Sequence, residues 1–318
     1  MTATPMSEPV GVVIDTDPGI DDSLALLLAA GWPRCRLLGV TATYGNTTLD
    51  MAVRNAGIVL ARAGSGVRVL QGWDRPLERA LVTAKETHGR EGIGDLSGPV
   101  PEPVYPSGSA LRDALRAAGA PVTLVTLGPL TNLALTLKLD ASLVRERVSR
   151  HVMMGGNIDA AGNTGPYSEF NVWCDPEAAD IVFRAGLRTE MVGLDVTRQL
   201  VLPAAAVAKL ATTADPDAQW FGRLLGFYVR FHQAHEGLAG AVINDPLAVA
   251  LAIDPTLGFA EPVRVRVDLS EEQRGRTAVG DDRDPEVRVY RRFDHERVHA
   301  LLLDHLFGRW LTPADFRA

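Results

Sequence analysis

The chain has 318 residues, 46% of them hydrophobic, with a formal net charge of −7, a balance that argues against a nucleic-acid or acidic-membrane surface. Two cysteines, Cys35 and Cys174, can build neither a disulfide framework nor a zinc cluster. No apolar run reaches the roughly 18 residues of a membrane span. Residues 1–8 are polar and Pro-containing, lack the apolar centre of a signal peptide, and are expected to be flexible; the expected compartment is the cytoplasm. No repeat, low-complexity stretch or composition shift marks a boundary, so residues 1–318 are expected to form a single domain.

The first element is the strongest. Val10 to Ile14 has the length and β-branching of a buried parallel strand, and Asp15, Asp17, Asp21 and Asp22 follow within eight residues. Pro18-Gly19 turns the chain, and Ser23 to Ala30 reads as a helix ended by Gly31. Asp21 and Asp22 fall in its first turn, where free N–H groups favour negative charge. Asp15 and Asp17, two apart, are expected on the same side of the strand's end. Acids this close repel one another unless a cation neutralises them. The pattern therefore predicts a hard-metal site at the carboxyl end of a first strand. Two rival readings share these residues. Asp-Pro-Gly is common turn chemistry with Asp21 as a helix-start acid, and haloacid-dehalogenase-type phosphatases also place Asp-x-Asp after a first strand.

A second strand is predicted over Arg36–Thr41 and a helix from Thr48 to Ala63, with Asn46 in the loop between them. Val67–Leu70 gives a short third strand. This alternation predicts βαβ units and an α/β fold, an open, mainly parallel β-sheet flanked by helices. Residues 71–107 are Pro- and Gly-rich and include His88, a residue type more often at the surface than catalytic. Pro121–Leu127 is another buried strand. Gly128-Pro129 leaves the Leu127 carbonyl without a regular helical partner, free to bind something. After a strand at His151–Gly156, the loop to Glu177 carries Asn163, Glu169 and Asn171, groups suited to vicinal hydroxyls, while Asp175-Pro176 reads as a helix cap. A strand follows over Glu190–Leu194, then a long helix from about Asp217 to Glu236, whose Phe227, Tyr228 and Phe231 stripe reads as core. Asn244-Asp245-Pro246 opens a further helix. The tail shows strands at Pro262–Asp268, Arg276–Val279 and Val287–Tyr290, then a helix from Asp294.

Asp-Thr-Asp-Pro-Gly-Ile-Asp-Asp resembles the N-terminal signature of the inosine–uridine-type nucleoside hydrolases, and the likeness runs strongly over about residues 10–255. It implies hydrolysis of the N-glycosidic bond of ribonucleosides, with a small-molecule ribonucleoside as partner and a homo-oligomer, dimer or tetramer, as assembly. The resemblance implies Ca²⁺ as cofactor, held by Asp17, Asp22, Asp245 and the Leu127 carbonyl; the oxygen-only ligands suit a hard metal, Mg²⁺ included. Asp17 is then the general base, with Asn46 orienting it and the water. Asp21 and Asn171 are expected on ribose hydroxyls and Asn163 and Glu169 on the 5′-hydroxyl, with Met154, Phe170, His232 and Asn244 also at the substrate. A His-Gly-x-x-Gly element brings His88 near the base. Where the family pattern reads His-Asp-Pro, this chain has Asn244, and an amide cannot protonate a departing base. His88, His232 and His235 are the candidate replacements. A catalytically impaired nucleoside-binding homologue, or a metal-dependent phosphohydrolase, remains an alternative.

Overall fold

In the computed structural model, which describes residues 8–102 and 104–317, the β-branched run after Pro9 forms β1 (Val10–Thr16). Val12, Val13 and Ile14 are wholly buried, so side chains on both faces of the strand need helices to cover them. The chain supplies these in order: α1 (Ile20–Gly31), β2 (Cys35–Ala42), α2 (Leu49–Arg62), β3 (Val69–Gln71), α3 (Lys85–His88) and α4 (Ala110–Ala118). β4 (Val122–Thr126), α5 (Thr131–Arg147), β5 (Val148–Met154), α6 (Phe170–Cys174), α7 (Pro176–Arg184), β6 (Thr189–Val192) and α8 (Leu194–Thr197) follow. The remainder is β7 (Val201–Pro203), α9 (Ala204–Thr212), α10 (Pro216–His235), β8 (Gly240–Val242), α11 (Asn244–Ile253), β9 (Gly258–Val267), β10 (Thr277–Val279), β11 (Glu286–Phe293) and α12 (His295–Leu302).

Nine strands make one sheet in the order β10-β9-β11-β6-β5-β4-β1-β2-β3. Pairing is parallel from β3 across to β11; β9 and β10 add an antiparallel edge. The expected open, mainly parallel sheet is thus observed. One face is covered by α1, α2, α10, α11 and α12, whose Leu24, Leu28, Leu60, Leu225, Leu247 and Leu302 share a core. α4, α5 and α7 cover the other through Leu111, Leu115, Leu133 and Phe183.

The order of strands decides where the site lies. From β1 the chain winds outward through β2 and β3, then returns to start β4 on the other side of β1. The β1/β4 boundary is therefore a topological switch point, and the loops leaving those two strands diverge to open a crevice at their carboxyl ends. Leu127 N–H donates to the Asp15 carbonyl at 2.8 Å, which holds the two loops in register at that point.

Several short elements, among them β7, β8, α9 and α3, were absent from the sequence reading. β7 and β8 form a three-residue antiparallel pair, too short for a period of two to show. α9, mostly Ala, has too little polar contrast to show a helical period. The 71–107 stretch is not structureless either, since α3 closes on itself there and buries His88. The expectation that the chain's start is flexible falls, for residues 1–7, outside the described residues.

Candidate active site

Strand ends set the carboxylates. Asp17 leaves β1 completely buried, and its Oδ2 accepts the Asn46 backbone N–H at 2.6 Å. Its Oδ1 is buried and has no hydrogen-bond partner among the described residues. Two glycines make room for this carboxylate. A Cβ on Gly128 would stand 2.6 Å from Oδ1, and one on Gly45 would overlap Oδ2. Asp22, at the third position of α1, accepts from Thr16 Oγ1 at 2.5 Å, Gly19 N–H at 2.9 Å and Asn46 Nδ2 at 2.8 Å. These bonds cap the helix and fix the acid at once. Asp245 enters from the first turn of α11, and oxygens of Asp21, Asp22 and Asp245 lie within 4.8 Å of one another.

Every one of these acids is held above the usual carboxylate range. For Asp17 the cause is burial, then repulsion from Asp22; for Asp245 it is burial, then Asp21, Asp22 and Asp17. Burial also raises Asp21 and Asp22. An orphaned carboxylate oxygen beside buried acids and an available carbonyl is the donor set a divalent cation satisfies, so the residues present fit the expected metal. The Leu127 carbonyl already accepts Asn171 Nδ2 at 2.7 Å, leaving one lone pair free.

Asp15 has partners of its own, apart from the cluster around Asp17. Its Oδ1 is bonded by Thr41 Oγ1 and by Asn132 Nδ2, the latter at 2.8 Å, and it takes no part in the cavity wall. Burial, opposed by those two bonds, pushes its pKa up to about 7. Asp15 ties β1 to β2 and α5 and belongs to the scaffold. Asp175 caps α7 through Ala178 N–H at 3.0 Å, as its sequence context predicts.

Above the acids opens a cavity of about 490 Å³. Asp21, Asn46, Leu127 and Asp245 form its floor, with Asp17 and Asp22 packed beneath. Met154, Asn163, Glu169, Phe170 and Asn171 make one wall. Glu169 accepts the N–H groups of Gly156, Asn171 and Val172 at 2.8–3.1 Å and so caps α6. Burial nevertheless pushes it up to about 7. The Asn171 amide spends its NH₂ on the Leu127 and Met154 carbonyls, which leaves its oxygen as the group to offer a ligand. Asn163 accepts Phe170 N–H at 2.9 Å and keeps its NH₂ for the cavity.

The opposite wall carries His88, Asn244 and the end of α10. His88, read as more often a surface residue, is buried, because its Nδ1 accepts the Ile20 N–H at 3.1 Å. A backbone N–H can only donate, so neutral His88 must carry its proton on Nε2. Burial lowers its pKa to about 4. His232 is likewise lowered to about 4, by burial and then by the nearby His88. His235 points elsewhere: exposed, stacked on Phe231 at 4.6 Å, and away from the cavity wall. Asn244 donates its NH₂ to Asp21 at 3.0 Å and to Tyr228 Oη at 3.5 Å. Tyr228 in turn donates to Asp21 at 3.3 Å and lies between His88 and His232, ring centroids 5.2 and 4.2 Å away. The aromatic stripe of α10 is core as expected at Tyr228 and Phe227, and Tyr228 and Phe231 also line the cavity, beside His232, which was expected at the substrate. Arg198, just after α8, also reaches the wall and was missed.

A parallel α/β sheet with buried carboxylates and sugar-matching amides at its switch point defines a hydrolase that works on a hydroxylated small molecule. The model of the family described as inosine-uridine preferring nucleoside hydrolase matches residues 12–300, and the chain belongs to that family. It is 34% identical over 309 residues to the inosine-uridine preferring nucleoside hydrolase of Crithidia fasciculata, covering 94% of this chain and 98% of that one. It is 37% identical over 272 residues to the pyrimidine-specific ribonucleoside hydrolase RihA of Shewanella sp. (strain ANA-3), covering 84% of each. Among solved structures, the purine-preferring ribonucleoside hydrolase from Gardnerella vaginalis superposes with a TM-score of 0.85 at 30% identity, over 94% of this chain and 98% of that one. The protein is therefore an enzyme, a ribonucleoside hydrolase. No helix among the described residues is long and apolar enough to cross a membrane.

Proposed function

We propose that the chain hydrolyses purine and pyrimidine ribonucleosides at one calcium-dependent site, with Asp17 as general base. The observation that carries this reading is Asp17 itself: one oxygen fixed by Asn46 N–H, the other buried and unpartnered beside the Leu127 carbonyl loop. Asp17, Asp22, Asp245 and the Leu127 carbonyl would hold Ca²⁺, which when bound organises the sugar hydroxyls and makes a nearby water more acidic. Asp17 takes the proton of the attacking water, and Asn46, bonded to both Asp17 and Asp22, keeps the base aimed. Asp21 and the Asn171 oxygen accept from ribose hydroxyls, while Asn163 and Glu169 address the 5′-hydroxyl. As the C1′–N bond breaks, its electron pair leaves with the base and positive charge grows on the sugar. The buried carboxylates stabilise that charge.

Base departure falls to His88 and His232. Both are neutral at pH 7, so they support the leaving nitrogen as hydrogen-bonding groups, with Met154, Phe170 and Asn244 shaping the pocket. The family resemblance adds a dimeric or tetrameric assembly, and the absence of a composition boundary and of a signal-peptide pattern supports a single domain in the cytoplasm. The test is a turnover panel of uridine, cytidine, inosine and adenosine, with added Ca²⁺ and with EGTA, for wild type and Asp17→Asn. Ca²⁺-dependent release of ribose and base is expected, with Asp17→Asn folded and slower by about 10²–10⁴-fold. Near-normal turnover in a folded Asp17→Asn variant would remove Asp17 from the role.

A further inference from the structure

We propose that Arg198 and Asp195 form a two-handed clamp that positions the sugar-facing loop, making them positioning residues for recognition of the substrate's 5′-hydroxyl. The inference rests on the assignment of Asn163 to that hydroxyl. The loop from Asn157 to Ser168 has only a single isolated bridge of regular structure, Thr164 to Ser168, so its backbone polar groups must find partners elsewhere. Those of Ile158 to Gly162 find them on the short helix α8 and the residue that follows it. The Asp195 carboxylate accepts three successive N–H groups, Ile158 and Asp159 at 2.7 Å and Ala160 at 3.0 Å. Arg198 donates to the next two carbonyls, Ala161 at 2.8 Å and Gly162 at 3.2 Å. Five consecutive residues are thus gripped by opposite charges one helical turn apart, and the next residue is Asn163.

The grip is matched to direction. An anion takes the loop's donors and a cation takes its acceptors, so five charge-assisted bonds fix the backbone at five successive residues. The planar guanidinium fork holds the two successive carbonyls through two different nitrogens in a fixed geometry that a single-nitrogen ammonium does not reproduce. Beyond the clamp, Asn163 N–H and Thr164 N–H both donate to the Ser168 carbonyl at 3.0 Å, and Asn163 Oδ1 accepts Phe170 N–H. The amide NH₂ of Asn163 is left as the loop's contribution to the cavity. Because α8 follows β6 after a single residue, the clamp ties that amide to the sheet.

Arg198→Met, Arg198→Lys and Asp195→Asn test this in the full-length enzyme by kinetics on uridine and 5′-deoxyuridine, and by hydrogen exchange. Exchange over residues 157–168 should rise about tenfold or more in Arg198→Met while that of β1 and β4 stays unchanged. Its kcat/KM for uridine should fall about 10–100-fold, mostly through KM, since small misplacements of a binding group carry penalties of that size. For 5′-deoxyuridine the fall should be under about threefold, because the contact being misplaced is already missing. Arg198→Lys should lie between wild type and Arg198→Met on uridine. Equal losses on both substrates, or unchanged loop exchange, would overturn the clamp. A wild type that cleaves both ribosides equally well sinks this proposal and leaves the hydrolase intact, whereas a wild type that cleaves neither sinks both.

Discussion

Gly128→Ala should cripple the enzyme without unfolding it. Gly128 does not have a positive φ, so alanine brings no backbone strain and lowers the entropy of the unfolded chain, a gain of roughly 0.4–1 kcal/mol. Its Cβ, however, would lie 2.6 Å from Asp17 Oδ1, 2.8 Å from Asp17 Cγ and 3.1 Å from Thr43 Cγ2, where ordinary contact begins at 3.4 Å. Asp17 must therefore retreat by most of an ångström. It cannot do so freely, because Asn46 N–H holds Oδ2 at 2.6 Å and Gly45 closes the far side. Overpacking of this kind costs about 1–3 kcal/mol, which the entropic gain partly offsets, so the melting temperature should move by only a few degrees. A general base displaced by about 1 Å loses on the order of 10²-fold in rate. The assay is kcat/KM on uridine and inosine beside a thermal melt, with Gly57→Ala as control. That residue lies on an exposed face of α2 with nothing within 4 Å of a new Cβ, so it should leave activity unchanged and add up to about 1 kcal/mol of stability. The reasoning is refuted if Gly128→Ala is folded and within threefold of wild-type kcat/KM.

Added Ca²⁺ should raise the melting temperature and EGTA should lower it. At a hundredfold excess over Kd the stabilisation is about 2.7 kcal/mol, worth several degrees for a chain of this size, and superimposable melts after verified metal removal would contradict the site. His151 is fully buried between Thr126 and Thr189, and burial lowers its pKa from 6.5 to about 3. The unfolded chain therefore takes up this proton first, and the stability linked to neutral His151, on the order of 4 kcal/mol, is full above pH 6.5 and lost as pH falls towards 3. The stability gap between wild type and His151→Gln should accordingly narrow from pH 7 to pH 4 in urea titrations; a constant gap would show that His151 does not titrate in that way. Asn244→His should raise kcat for inosine and uridine relative to a p-nitrophenyl riboside, whose leaving group needs little protonation. An unchanged ratio would mean that position 244 does not govern departure of the base.

Legibility followed range in the sequence. The parallel sheet could be read because each β-α step announces itself locally, through β-branched runs, Gly and Pro turns and helix-start acids. The acid cluster could be read for the same reason: Asp17, Asp21 and Asp22 lie within six residues of one another, on a strand end and a helix start. What could not be read was which groups face each other across the crevice. Asp15 and Asp17 look equivalent in the sequence, yet Thr41 and Asn132 claim the first and Asn46 and Gly128 frame the second. His88 looked like a loop residue because its reason for burial, the Ile20 N–H, lies 68 positions away. Tyr228 is core, as the stripe predicts, but the spacing does not show that its ring also lines the cavity.

Asn244 shows how far a single departure can be taken once its neighbours are known. In the sequence it is a missing proton donor. In the fold its NH₂ is committed to Asp21 and Tyr228, and its oxygen is buried without a partner among the described residues. Burial pushes Asp21 up, and Asn244, acting first among the opposing contacts, pulls it back towards the ionised form. An imidazole here could bond Asp21 through one ring nitrogen and present a proton to the base through the other, whereas the amide spends its NH₂ on Asp21 and Tyr228 and has no acid form to present. On the proposed assignment, help for the departing base would come from His88 on α3 and His232 on α10, outside the motif that carries the acids.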